Sequence, residues 1–207
     1  MYSKFHNLEQ EKQDRIINAA IKEFAQKGYD RASTNEMVKA AGISKGLLFH
    51  YFGNKKQLFL FLFDYCCRIL AEQFYQKINL AERDFFTRIR QAVMIKMELL
   101  TTYPDLFTFI EKAYLEDSAE VKVEVDKKVK VLSDANFGKV YEGIDFSKFR
   151  DDMDIKKVLK IITYTFEKLS EEMLSQAKLS PTHHIDYEKG FQEAEVYFEI
   201  FTTCFYK

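Results

Sequence analysis

Between residues 33 and 52 the chain is punctuated so sharply that few local structures are open to it. Ser33-Thr34-Asn35-Glu36 makes a capping box, in which the Ser33 hydroxyl accepts from the Glu36 amide and the Glu36 side chain can reach back. Met37, Val38 and Ala41 supply the buried side of a short helix, Gly42 ends it and Ile43 anchors the turn. Ser44 then caps a second short helix running through Lys45 to about Phe52. Two short helices joined by a turn of about three to four residues containing Gly form a helix-turn-helix, a unit that places its second helix in the major groove of DNA.

The rest of the chain reads as helix as well. Only two prolines, Pro104 and Pro181, and seven glycines interrupt 207 residues, and breakers this scarce favour long helices over many short strands. Asn7, with Gln10 three residues on, is expected to cap a first helix carrying Ile16, Ile17, Ala20, Ile21 and Phe24 on one face. Lys27 and Gly28 are expected to close it. Asn54 and Gln57 start a longer helix to about Ile78, and Asp84 caps the next. Pro104 fits the first position of another, where its missing N–H costs nothing. VKVEV at 121–125 alternates like a strand, yet Val121, Val125, Lys128, Val129 and Leu132 also keep helical spacing. With no partner strand in sight, 119–141 is read as helix. Residues 142–153 read as a loop, and two long helices follow, at about 154–178 and 187–204. The expectation is an all-α chain of about nine helices. An N-terminal three-helix helix-turn-helix DNA-binding domain spans 1–53, followed by a larger helical ligand-binding and dimerisation domain over 54–207.

Net charge is −1, but it is unevenly spread: residues 1–56 hold ten Lys or Arg against six Asp or Glu, so the head is basic and the remainder acidic. A basic head suits a polyanion-facing end. The opening MYSKFHNLEQEK lacks the apolar core of a signal peptide, and LFLFLF at 58–63 is too short to span a membrane. Cys66, Cys67 and Cys204 lack metal-ligand spacing; without a secretory signal they read as reduced, buried small hydrophobes in a cytoplasmic protein. No glycine-rich phosphate loop, paired-histidine metal motif or nucleophile–base constellation stands out, and His183-His184 sits in a Pro-containing loop without helical spacing. The chain is therefore expected not to be an enzyme and to carry no metal or cofactor.

The residues around the turn point to specific contacts. Ser44 and Lys45 open the third helix, where free amides and the positive end of the helix dipole favour a phosphate. Gly46 allows close approach, and Lys45 suits phosphate or guanine O6/N7. If Leu48 and Phe52 face the core, Leu47 and His50 face the groove, with Leu47 set for a thymine methyl and His50 for a base edge or phosphate. Thr34 can donate to a phosphate, Tyr51 reads as a contact residue, and Lys55 opens the fourth helix as a further phosphate contact.

Thr34, Met37-Val38, Ala41-Gly42-Ile43-Ser44, Lys45-Gly46, Phe49-His50-Tyr51-Phe52, Lys55 and Leu58 together resemble the DNA-binding segment of the TetR family of bacterial regulators, and the resemblance covers roughly residues 8–62. Two departures stand out. Where the resemblance implies Tyr, Phe49 has no hydroxyl to offer a phosphate, and Leu47 lacks the polar atom often found at its position. The resemblance implies a transcriptional repressor released from a palindromic operator by a small ligand. One helix-turn-helix covers one half-site, and half-sites lie about 34–36 Å apart or at multiples of that, so a homodimer through the last two helices is expected. An aromatic- and Met-rich body suggests a hydrophobic or aromatic effector, with Phe63, Phe74, Met94, Met97, Phe107, Tyr114 and Tyr164 as candidate pocket residues. The alternative is a DNA-binding protein with no small-molecule switch, controlled by a protein partner.

Overall fold

The computed structural model describes residues 2–181 and 185–207, without the side chains of 133–138, 174 and 178; His183-His184 lies outside the described residues. The described residues form ten helices: α1 Ser3–His6, α2 Gln10–Arg31, α3 Thr34–Ala41, α4 Lys45–Phe52, α5 Lys55–Lys77, α6 Phe85–Thr102, α7 Pro104–Tyr114, α8 Lys122–Tyr141, α9 Ile155–Leu179 and α10 Tyr187–Phe205. Among them no strand forms beyond two isolated bridges, and no helix is long and apolar enough to cross a membrane. The chain divides into two compact units, Met1–Lys77 with Lys96–Ala135, and Ile78–Ile95 with Asn136–Lys207.

The first unit is built on α2. Ile16, Ile17, Ala20, Ile21 and Phe24 are buried along one face, and Phe24 meets Phe59 of α5 edge-on at 5.0 Å and Phe109 of α7 at 6.1 Å. Gly28 breaks the helical path where a stop is expected: its φ of 70° and ψ of −179° are open to glycine almost alone. The helix nevertheless resumes to Arg31. The extra helix, α1, corrects the expected start. Phe5 is fully buried against Phe52 at 4.8 Å and Phe61 at 5.5 Å, and this aromatic packing draws the N-terminus into a helical turn. Asn7 thus ends α1 rather than capping α2, whose N-cap Glu9 makes no side-chain cap. Gln13 Nε2 instead donates to the Leu8 carbonyl at 2.8 Å. In the 119–141 stretch α8 begins at Lys122, with Val125 buried on its face and Val121 buried just before its start.

In the second unit, Phe85, Phe86, Phe149, Val158, Ile162, Phe198 and Phe201 form the core. Asp84 caps α6, its Oδ1 accepting from the Thr87 amide at 2.8 Å. Asp154 and Asp186 cap α9 and α10 through the amides of Lys156 and Lys189, both at 3.0 Å. The 142–153 loop is held by Arg88, which is fully buried. Its guanidinium donates to the carbonyls of Leu80 at 2.8 Å, Val140 at 3.1 Å and Glu142 at 2.6 Å, and also to that of Glu82. The cysteine expectation holds for Cys66, which is buried, while Cys67 is half-buried and Cys204 exposed on α10. Burial, with the nearby Asp64 charge, pushes the Cys67 thiol up to about 12, far from a reactive thiolate.

Candidate nucleic-acid interface

α3 and α4 are defined by their ends. Ser33 Oγ accepts from the Glu36 amide at 3.4 Å. The reciprocal half of the expected box is filled differently: the Ser33 amide donates to the Glu23 carboxylate on α2 at 2.8 Å, and Lys27 Nζ donates to the same oxygen at 2.8 Å. Burial alone would raise the Glu23 pKa, but the hydrogen bonds from Lys27 and the Ser33 amide, with the charges of Lys27 and Lys55, lower it. Gly42 ends α3 in the left-handed conformation, φ 67°, and the Ile43 amide returns to the Val38 carbonyl at 3.0 Å, which fixes the turn. Met37 and Ala41 are buried and Val38 is half-buried. Ser44 Oγ caps α4 by accepting from the Leu47 amide at 3.2 Å.

The cap orients α4 so that Leu48 and Phe52 point into the core at 1% and 2% exposure, while Leu47 is 38% exposed. Ser44, Lys45, Gly46 and His50 share the exposed side with Leu47. The amides of Lys45 and Gly46 lie ahead of the first intrahelical bonds, which run from Leu47 and Leu48 to the Ser44 carbonyl; such leading amides and the positive helix end suit an anion. Lys45 Nζ sits 5.9 Å from the Phe49 ring centroid, so Phe49 supports the lysine even without a hydroxyl.

Three other expected contact residues are more tied down than the sequence suggests. Thr34 opens α3 half-buried. Tyr51 is half-buried, its ring 6.1 Å from that of Phe5 and 5.8 Å from that of His50, so one face packs inward. Lys55 opens α5 with its ammonium donating to the Asp30 carbonyl at 3.1 Å and standing 4.9 Å over the Tyr29 ring. Sequence reasoning missed Glu23, because an acid within an amphipathic helix reads as a solvated one. Only the shared Lys27 and Ser33 contacts single it out.

Of the seven candidate effector residues, Phe63, Phe74, Met97, Phe107 and Tyr114 belong to the first unit and Met94 and Tyr164 to the second. Phe63 is fully buried, and Phe74, Met97 and Phe107 are half-buried. Tyr114 is 36% exposed, its ring 6.3 Å from that of Phe63. Met94 and Tyr164 are more exposed, at 66% and 57%. Helical spacing identified the stripe but not which of its members turn outward. Among the described residues, one open groove lies between α9 and α10 around Met173 and Gly190, and another against Phe5, Ile17 and Phe61.

Among the described residues no cluster of His, Cys, Asp and Glu is arranged to hold a metal ion. Residues 16–62 match the family model of bacterial regulatory proteins, tetR family. An uncharacterized HTH-type transcriptional regulator of Bacillus subtilis is 46% identical over 55 residues, 27% of this chain and 19% of that protein, so the chain matches only about a fifth of this relative's length. The fatty acid metabolism regulator protein of Bacillus subtilis is 23% identical over 159 residues, 74% of this chain and 78% of that protein. In fold, the chain is similar to the crystal structure of a TetR family transcriptional regulator from Chloroflexus aurantiacus, with TM-score 0.64 and 22% identity over 99% of this chain and 97% of that one.

Proposed function

We propose that the chain, whose residues 16–62 match the family model of bacterial regulatory proteins, tetR family, is a dimeric transcriptional repressor of that family, released from a palindromic operator by a small hydrophobic ligand. The observation that carries the reading is the division of α4: Leu48 and Phe52 are buried, while Ser44, Lys45, Gly46, Leu47 and His50 stand together on its free side. Lys45 and the leading amides of α4 take phosphate or a guanine edge, and Leu47 and His50 read bases. Thr34, Tyr51 and Lys55 fix the head on the backbone. Residues 1–53 are the reading head, and 54–207 the effector and dimerisation body.

Two heads need a dimer. Ile161 and Tyr164 on α9, and Val196 and Ile200 on α10, are exposed apolar residues at helical spacing; burying them against a second copy removes them from water. The effector is apolar and enters between helices of the body, next to Phe63, Phe107 and Tyr114. The name of the Bacillus subtilis relative, a regulator of fatty acid metabolism, fits an effector of that class. The effector acts by binding the two states of the dimer unequally.

Selection from a random DNA pool tests this reading. Two short inverted half-sites are expected, with sedimentation as a dimer at micromolar concentration. No enriched sequence, or a monomer that binds DNA, would refute it. Release of the selected DNA by medium-chain fatty acids or aromatic probes tests the switch; release by none of them, with no rise in melting temperature, counts against it.

A further inference from the structure

The five residues Tyr29–Ser33, from the kink of α2 to the start of α3, are tied at three points. The Ser33 amide is held by Glu23, and the Asp30 carbonyl by Lys55. The third tie comes from much further along the chain. The Tyr29 amide donates to Glu116 Oε2 at 2.7 Å, and Glu116 Oε1 accepts from the Ser118 amide at 3.0 Å. Glu116 lies in the link between α7 and α8, so one carboxylate joins that link to the kink of α2.

The kink explains why an acid is needed there. With φ 70° and ψ −179° at Gly28, the next peptide turns out of the helical path, and its N–H must find an acceptor from another element. A Cβ on Gly28 would stand 3.4 Å from Glu116 Oε2, so the carboxylate fits closely over the bare glycine. Apolar contacts between α2 and α7, such as Phe24 with Phe109, are non-directional. They permit small rotations of one helix on the other. A carboxylate accepting from two backbone amides is directional and charge-assisted. It fixes the angle at which the Tyr29–Ser33 segment leaves the kink at Gly28, and hence the placement of α3 and α4.

We infer that Glu116 is a positioning residue of the reading head, one that sets the half-site separation the dimer accepts. The inference rests on the proposed DNA-binding reading. Movement of the α7–α8 link is then transmitted to the head at the Tyr29 amide.

The experiment uses the full-length protein and the DNA it selects, remade with one base pair added to or removed from the spacer. Wild type is expected to prefer one spacing. In Glu116→Ala the Tyr29 amide exchanges with solvent about tenfold faster or more, as expected for loss of a hydrogen bond to a charged group. Its preference for the best spacer over its neighbours falls about fivefold or more, while affinity for random-sequence DNA and the sedimenting dimer stay unchanged. Glu116→Gln keeps the side-chain length and one acceptor oxygen; it restores part of the preference and covers the case of an alanine variant that does not fold. A variant with fast Tyr29 exchange and an unchanged spacing preference would overturn the inference and leave Glu116 a local tie. A wild type that enriches no sequence would instead refute the DNA-binding reading on which it rests.

Discussion

Asp84 offers the most quantitative test of how the second unit is held. Its carboxylate caps α6 through the Thr87 amide, accepts from the Tyr206 hydroxyl at 3.0 Å and pairs with Lys148 at 2.9 Å. Burial raises its pKa, but the hydrogen bonds from Thr87, Lys148 and Tyr206 outweigh that and hold it at about 2, against 3.8 for a free aspartate. The pKa is depressed on folding, so the stabilisation is complete above pH 3.8 and is lost as the pH falls through 2. The interval corresponds to about 2 kcal/mol at neutral pH, of which about half is gone at pH 3. The side chain is only 12% exposed, so solvent screening removes little of it. Urea unfolding of wild type and Asp84→Asn at pH 7, 5, 4 and 3 measures the difference directly. A gap of about 2 kcal/mol at pH 7 that halves by pH 3 is expected. A gap of the same size at pH 7 and pH 3 would show that the variant loses shape or packing rather than a charged cap, and would refute the linkage.

Three further outcomes are expected. Lys45→Ala should lower affinity for the selected operator by about 1–3 kcal/mol and relax its sequence preference, measured by fluorescence anisotropy on matched and mismatched sites; equal losses on random DNA would make Lys45 a phosphate contact only. Lys55→Ala should weaken binding about equally on all sequences and reduce the salt dependence by about one unit of slope. It should also lower the melting temperature slightly, because its ammonium holds the Asp30 carbonyl. Arg88→Met should cost on the order of 3 kcal/mol or more, since the thioether fills space but leaves buried carbonyls without a donor, and a thermal melt within about 2 °C of wild type would refute that assignment.

The elements that announce themselves through local chemistry were legible in the sequence. Ser33, Gly42 and Ser44 each act on a neighbour within four residues, so their pattern is a complete statement of the turn they make. The caps Asp84, Asp154 and Asp186 show the same locality, although Asp186 falls one residue before the expected start of its helix and was not singled out. The burial of Leu48 and Phe52 against the exposure of Leu47 follows from helical spacing once the cap fixes the start of α4. α1 was missed because nothing in YSKFHN is a strong helix signal. What forms it is the burial of Phe5 against Phe52 and Phe61, a contact that spans nearly fifty residues.

The polar ties belong to the same illegible class. Glu23, Arg88 and Glu116 each sit in a stretch whose pattern reads as solvated charge, and each is engaged with backbone groups outside its own element. Helical periodicity reports which face of a helix is apolar, because burial of apolar area is additive and indifferent to direction. A carboxylate that accepts from one amide 87 residues away contributes almost nothing to that pattern. It does restrict the angle between two elements, which apolar packing leaves loose. In the proposed reading, the α4 residues that grip DNA are thus found by local motifs, whereas Glu116, proposed to aim the grip, is found only because the unusual backbone of Gly28 leaves the Tyr29 amide in need of a partner.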